Sequence, residues 1–129
     1  MTIGIDGLAE IRSKTGKPLT TGLNDHVISE FLQTDPALSI AIEEACENFV
    51  SLVNDMGEET VKMDEKDLVG TLQGDYVNFY SAATVNPYVA IAARGPWIIT
   101  SHGAVIHDNG GYGMLGMGHG PTDVIQSMQ

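Results

Sequence analysis

Chemistry in this sequence would have to come from a few side chains set in its last third. His102, His107 and His119, with Asp108 as an oxygen donor, are of the types that bind zinc. Their spacing is loose and lacks the paired short separations of zinc sites, so no metal is expected. The passage Gly110-Gly-Tyr-Gly-Met-Leu-Gly-Met-Gly-His-Gly120 lets the backbone come close to a ligand. The helical pattern that Pro121 opens could offer free N–H groups to an anion. Yet the passage matches neither a GxGxxG dinucleotide turn nor a P-loop with its Lys-Ser/Thr ending. Close backbone packing is the plainer reading. No serine stands in a nucleophile elbow, and Cys46 falls on an apolar helix stripe, where a small buried thiol is expected.

The elements that would position these residues can be read from spacing. Residues 1–24 carry scattered apolar residues among Gly4, Gly7, Gly16, Pro18 and Gly22 and read as irregular or weakly helical. Asn24 or Asp25 can cap a short helix through Val27, Ile28, Phe31 and Leu32. Residues 35–57 form the clearest helix, with Asp35 as N-cap, Pro36 at the first position and Gly57 at the stop. Its stripe is Leu38, Ile42, Ala45, Phe49, Leu52 and Met56, while Glu43, Glu44, Glu47 and Asn48 point elsewhere.

Another helix is expected over residues 63–73, ending near Gly74, followed by a strand or extended segment over 76–80. A junction at residues 80–86 separates an acidic helical leader, residues 1–85, from a second unit, residues 86–129. There the β-branched runs 97–100 and 104–107 flank Ser101-His102-Gly103, where His102-Gly103 can supply the positive φ of a hairpin turn. A helix follows from Pro121, with Val124, Ile125 and Met128 on one face. It stops after about two turns without glycine, basic last turn or breaker, so the chain is expected to be a longer one interrupted. The expected fold class is α+β: a mainly helical first part, a small antiparallel hairpin or sheet, and a truncated helix.

Composition narrows the partners. A net charge of −11, with six basic residues in 129, argues against nucleic acid and anionic membrane surfaces. Between Asp25 and Asp75 the only bases are Lys62 and Lys66, so the negative field belongs to the first half. The hydrophobic fraction of 43% is that of a chain that folds. One cysteine cannot form an internal disulfide, no basic leader precedes a long apolar run, and no stretch approaches a membrane span. A reducing, cytoplasmic setting is expected.

One ordered combination is more specific than any of its parts: Arg94-Gly-Pro-Trp-Ile-Ile-Thr-Ser-His-Gly-Ala-Val-Ile-His-Asp108, then Gly111-Tyr-Gly-Met-Leu-Gly-Met-Gly-His119 and Pro121. Over residues 86–129 the chain closely resembles the opening of class III pyridoxal-phosphate (PLP) aminotransferases of the ornithine/4-aminobutyrate type. The resemblance implies the N-terminal portion of a fold-type I enzyme. Such an enzyme moves an amino group between an amino acid or amine and a 2-oxo acid, in a homodimer. It also implies that Tyr112 contacts substrate, with Gly111, Gly113 and Met114 shaping the same wall.

Transamination needs a Schiff-base lysine, an acidic partner for the pyridinium nitrogen and donors for the cofactor phosphate. In similar enzymes all of these lie further along the chain. Lys14, Lys17, Lys62 and Lys66 fall in the leader, so no catalytic or cofactor-binding residue is expected in these residues, nor any activity of the chain by itself. The departures are Ser101-His102, where the family usually has an acidic residue before the hairpin glycine, Asp108 one residue closer to Tyr112 than expected, and Gly120 before Pro121. The competing reading is a free-standing acidic helical interaction module without catalytic activity.

Overall fold

The computed structural model describes residues 4–75, 77, 88–109 and 116–129. Among them the architecture is α+β, with helices α1 (Gly4–Lys14), α2 (Asp25–Leu32), α3 (Pro36–Met56), α4 (Glu58–Val61), α5 (Glu65–Gln73) and α6 (Thr122–Met128). Strands β1 (Ala90–Arg94), β2 (Trp97–Thr100) and β3 (Val105–His107) form one antiparallel sheet in the order β1-β2-β3.

Helix α3 is the spine, and its signals act as their chemistry dictates. The Asp35 carboxylate accepts the Ala37 N–H at 3.0 Å and satisfies one of the donors left over at the helix start. Leu38, Ala41, Ile42, Ala45 and Phe49 are buried, while the last turn of the stripe, at Leu52 and Met56, is only half-buried. Through this face α3 packs on α1 and on β1 and β2. The core joins Leu8 and Ile11 of α1, Ile28 of α2 and this face of α3 to Ala92, Trp97, Ile99 and Val105 of the sheet. One apolar cluster therefore draws on residues both before and after the expected junction at 80–86, which itself lies outside the described residues.

Two elements depart from the sequence expectation. The lead-in contains an eleven-residue helix, α1, in spite of Gly4 and Gly7. Burying Leu8 and Ile11 is worth about 1.5–3 kcal/mol each, which outweighs about 0.5–1 kcal/mol for a glycine within a helix. Arg12 and Lys14 in its last turn also suit the negative end of the helix dipole. The second is β1, an alanine-rich run of weak strand propensity that becomes a strand by pairing Ala92 with Ile99, Ala93 with Ile98 and Arg94 with Trp97. A register irregularity between Ala90 and Ala92 bends it.

The hairpin between β2 and β3 forms as its residues suggest. Gly103 has φ 74°, the Thr100 N–H donates to the Ala104 carbonyl at 3.0 Å, and the Ala104 N–H donates to the Thr100 hydroxyl at 3.0 Å. The helix expected over 63–73 begins at Glu65, because the chain first makes the separate turn α4. Helix α6 starts after Pro121 and buries none of its residues, with Ile125 and Met128 exposed. The extended segment expected at 76–80 lies outside the described residues apart from Val77. No described helix is long and apolar enough to cross a membrane.

Candidate functional site

The sheet supports a narrow neck in the chain. Gly95, in the turn between β1 and β2, pairs with His119 through two backbone hydrogen bonds of 2.9 and 2.8 Å. The Asp108 N–H donates to the Pro96 carbonyl at 2.7 Å. Across the same neck, His119 Nε2–H donates to Asp108 Oδ2 at 2.9 Å, with both side chains about three-quarters covered. The two flanks of the glycine-rich passage, at Asp108 and His119, thus meet at one place. A Cβ on Gly118 would lie 2.8 Å from Gly95 Cα, and Gly118 has φ 75°, so this approach requires glycine.

Arg94 anchors the neck to the spine. Its Nε and Nη2 donate to the Glu44 carboxylate at 2.6–3.0 Å, and its Nη1 donates to the Gly120 carbonyl at 2.6 Å. The hydrogen bond to the Glu44 carboxylate, then its charge, raises the guanidinium pKa above its ordinary value and holds the group firmly cationic. Arg94 is thus a structural tie between β1, α3 and the residue before Pro121. A second tie comes from Asn48, one turn further along α3, whose amide donates to the Ile91 carbonyl at 2.7 Å. Glu44 and Asn48 do not point away from the fold as the stripe alone implies. They flank it and reach β1.

Tyr112, Gly111, Gly113 and Met114, the residues expected to meet substrate, lie outside the described residues. Their flanks, Asp108 and His119, are brought together. The three histidines of the last third are not: His119 bonds to Asp108, His107 makes ring contacts with Phe31 and Trp97, and His102 turns inward. Among the described residues no group of three or more His, Cys, Asp or Glu is placed to hold a metal.

Ser101 and His102 form the inner side of the β2–β3 turn. Both are buried, at 2% and 1% exposure. His102 Nε2 lies 2.8 Å from the Met63 carbonyl, which can only accept, so this nitrogen carries the proton and Nδ1 accepts from the Ser101 hydroxyl at 3.0 Å. A hydroxyl, an imidazole and an orienting carbonyl are the parts of an activated nucleophile. Here they are sealed from solvent and serve as a latch between the hairpin turn and the start of α5. The Ser101 hydroxyl and both ring nitrogens of His102 are thereby hydrogen-bonded inside the fold, as buried polar groups must be.

The leader fastens to itself by similar means. The buried Glu65 carboxylate accepts the Leu19 and Thr20 N–H groups at 2.6 and 2.9 Å, and Lys17 N–H donates to Asp64 at 2.8 Å. All four lysines are exposed, and Lys14 and Lys62 pair with Glu10 and Glu58 of their own helical turns. Cys46 is half-buried, and its thiol is pushed above the ordinary range by burial first and then by the charges of Glu10, Glu43 and Glu47. No protein-family model matches this chain, and no match was found among curated proteins or solved structures.

Proposed function

We propose that this chain is a substrate-wall segment of a class III PLP-dependent aminotransferase, the N-terminal portion of a fold-type I enzyme. That enzyme transfers an amino group between an amino acid or amine and a 2-oxo acid, as a homodimer in a reducing, cytoplasmic setting. The observation that carries the reading is a coincidence of residues. Arg94, Gly95, Asp108, Gly118, His119 and Gly120, which carry much of the resemblance, are the residues that meet at the neck. A sequence pattern and a contact set agree there, between residues 11 to 26 apart along the chain, as expected if the neck exists to present what lies between its sides.

The residues described do not fit the cofactor itself. A Schiff-base lysine needs a site that depresses its pKa by burial or a neighbouring cation, and every lysine here is exposed. The cofactor would supply the electron sink for amino transfer, from a pocket built by other residues. What this chain would contribute is position: Asp108 and His119 fix both ends of the wall, and Tyr112 covers the aliphatic part of the substrate.

The test uses the product of the complete reading frame that contains these residues, assayed with PLP. Tyr112→Ala is expected to raise KM for the amino donor several-fold with a smaller change in kcat. Equal kinetics for the variant and the parent would remove Tyr112 from the substrate wall.

A further inference from the structure

We infer that the cleft between the end of α1 and the β2–β3 turn binds a small zwitterion of the α-amino acid class, with Arg12 taking its carboxylate and Asp25 its ammonium group. The inference stands on the charges of the cleft and does not depend on the aminotransferase reading. The cleft has a volume of about 420 Å³, and Arg12, Asp25, Asn24, Thr21, His102 and Gly103 are among its lining residues.

Arg12 is held in place before any ligand arrives. Its Nε–H donates to the Gly103 carbonyl at 2.9 Å, and a Cβ on Gly103 would lie 2.8 Å from Arg12 Cγ, so the stem of the side chain lies flush on the glycine. Its Nη1 donates to Asp25 Oδ1 at 2.7 Å. Arginine has five N–H donors, and among the described residues Nη2 makes no hydrogen bond, nor does Asp25 Oδ2. Two fixed, opposite charges therefore stand side by side, each with an unused hydrogen-bonding atom.

The complement of such a pair is a ligand whose own opposite charges are adjacent. A carboxylate on Nη2 and an ammonium on Oδ2 close a ring of alternating charges without breaking the ion pair, and each ligand charge is nearest to its opposite. A lone carboxylate would meet Arg12 but also the like charge of Asp25, and a lone amine the reverse, so single charges are partly cancelled. Asn24 adds its amide N–H₂, since its side-chain oxygen is committed to the Val27 N–H. His102 forms part of the lining, with both ring nitrogens occupied by Ser101 and the Met63 carbonyl. Arg12 and Asp25 are 32% and 52% exposed, so water competes and the affinity belongs in the millimolar range.

The experiment is a titration of the ¹⁵N-labelled chain with glycine, followed by amide shifts, beside parallel titrations with acetate and with methylammonium. Glycine is expected to give saturable shifts at Gly103, Asn24 and Asp25, and each single charge to bind about tenfold more weakly. Asp25→Asn keeps the Asn24 cap and should invert the order, with acetate becoming the tighter ligand. No saturable shift with glycine, equal binding of acetate and glycine by the parent chain, or an unchanged order in Asp25→Asn would each overturn the assignment.

Discussion

The indole of Trp97 and the carboxylate of Asp35 share one hydrogen bond that ties the sheet to the start of its spine. Trp97 Nε1–H donates to Asp35 Oδ2 at 2.8 Å, while Oδ1 of the same carboxylate accepts the Ala37 N–H and caps α3. One carboxylate thus caps a helix and satisfies the only polar group of the Trp97 side chain, the largest of the fully buried ones among the described residues. Phe31 packs edge-on against the same indole, with centroids 5.0 Å apart.

Asp35→Ala removes both bonds at once. Losing the cap costs about 0.5–2 kcal/mol and leaving the indole N–H unpaired costs about 1–3 kcal/mol, so a loss of about 2–4 kcal/mol is expected in urea denaturation. Asp35→Asn keeps one acceptor oxygen and should lose about half as much. Equal losses for the two variants would show that the carboxylate does not serve both partners.

Arg94→Lys keeps the charge but cannot make the forked contact with Glu44 and reach the Gly120 carbonyl together. Its thermal midpoint should fall, and amide exchange at Gly95 and His119 should quicken. Combined with Glu44→Gln, the losses should be less than additive, because the two residues act as one tie. Strict additivity would mean that they are independent.

Gly118 and Gly116 provide a controlled pair in one stretch of chain. A methyl group on Gly118 would press on Gly95 at 2.8 Å from a residue with φ 75°, whereas one on Gly116 meets nothing within 4 Å. Gly118→Ala should destabilise by at least the roughly 1–2 kcal/mol of a left-handed alanine, and Gly116→Ala should stay within about 0.5 kcal/mol of the parent. Similar stabilities for both variants would argue against the close approach at the neck.

The Cys46 thiol is held in its protonated form by burial and by Glu10, Glu43 and Glu47. Because the thiolate is the reactive species, its alkylation curve should be displaced to higher pH than that of a free thiol. Glu43→Gln with Glu47→Gln should move the curve part of the way back, since burial is the larger cause. A curve coincident with that of a free thiol would contradict this environment.

The helix α3 was legible because its cap, its proline, its stripe and its closing glycine are all local signals within residues 35–57. The hairpin was legible for the same reason, from two β-branched runs about a glycine of positive φ. Helix α1 and strand β1 were not, since Leu8 and Ile11 form a helix by what they pack against, and Ala90–Arg94 becomes a strand only beside β2. The partner of Arg94 could not be read, because Glu44 is 50 residues away and nothing local distinguishes it from Glu43. The flanks of the glycine-rich passage could be read from the sequence only as a pattern, and their meeting at Asp108 and His119 is a tertiary fact.

The most direct measurement of the aminotransferase proposal is transfer of a ¹⁵N-labelled amino group. The product of the complete reading frame, loaded with PLP, is incubated with labelled amino donors and 2-oxo acids, and the new amino acid is read by mass spectrometry. The account predicts PLP-dependent appearance of label in the acceptor with at least one donor, and none with residues 1–129 alone. A complete product that takes up no PLP and moves no label across a broad set of donors and acceptors would contradict it.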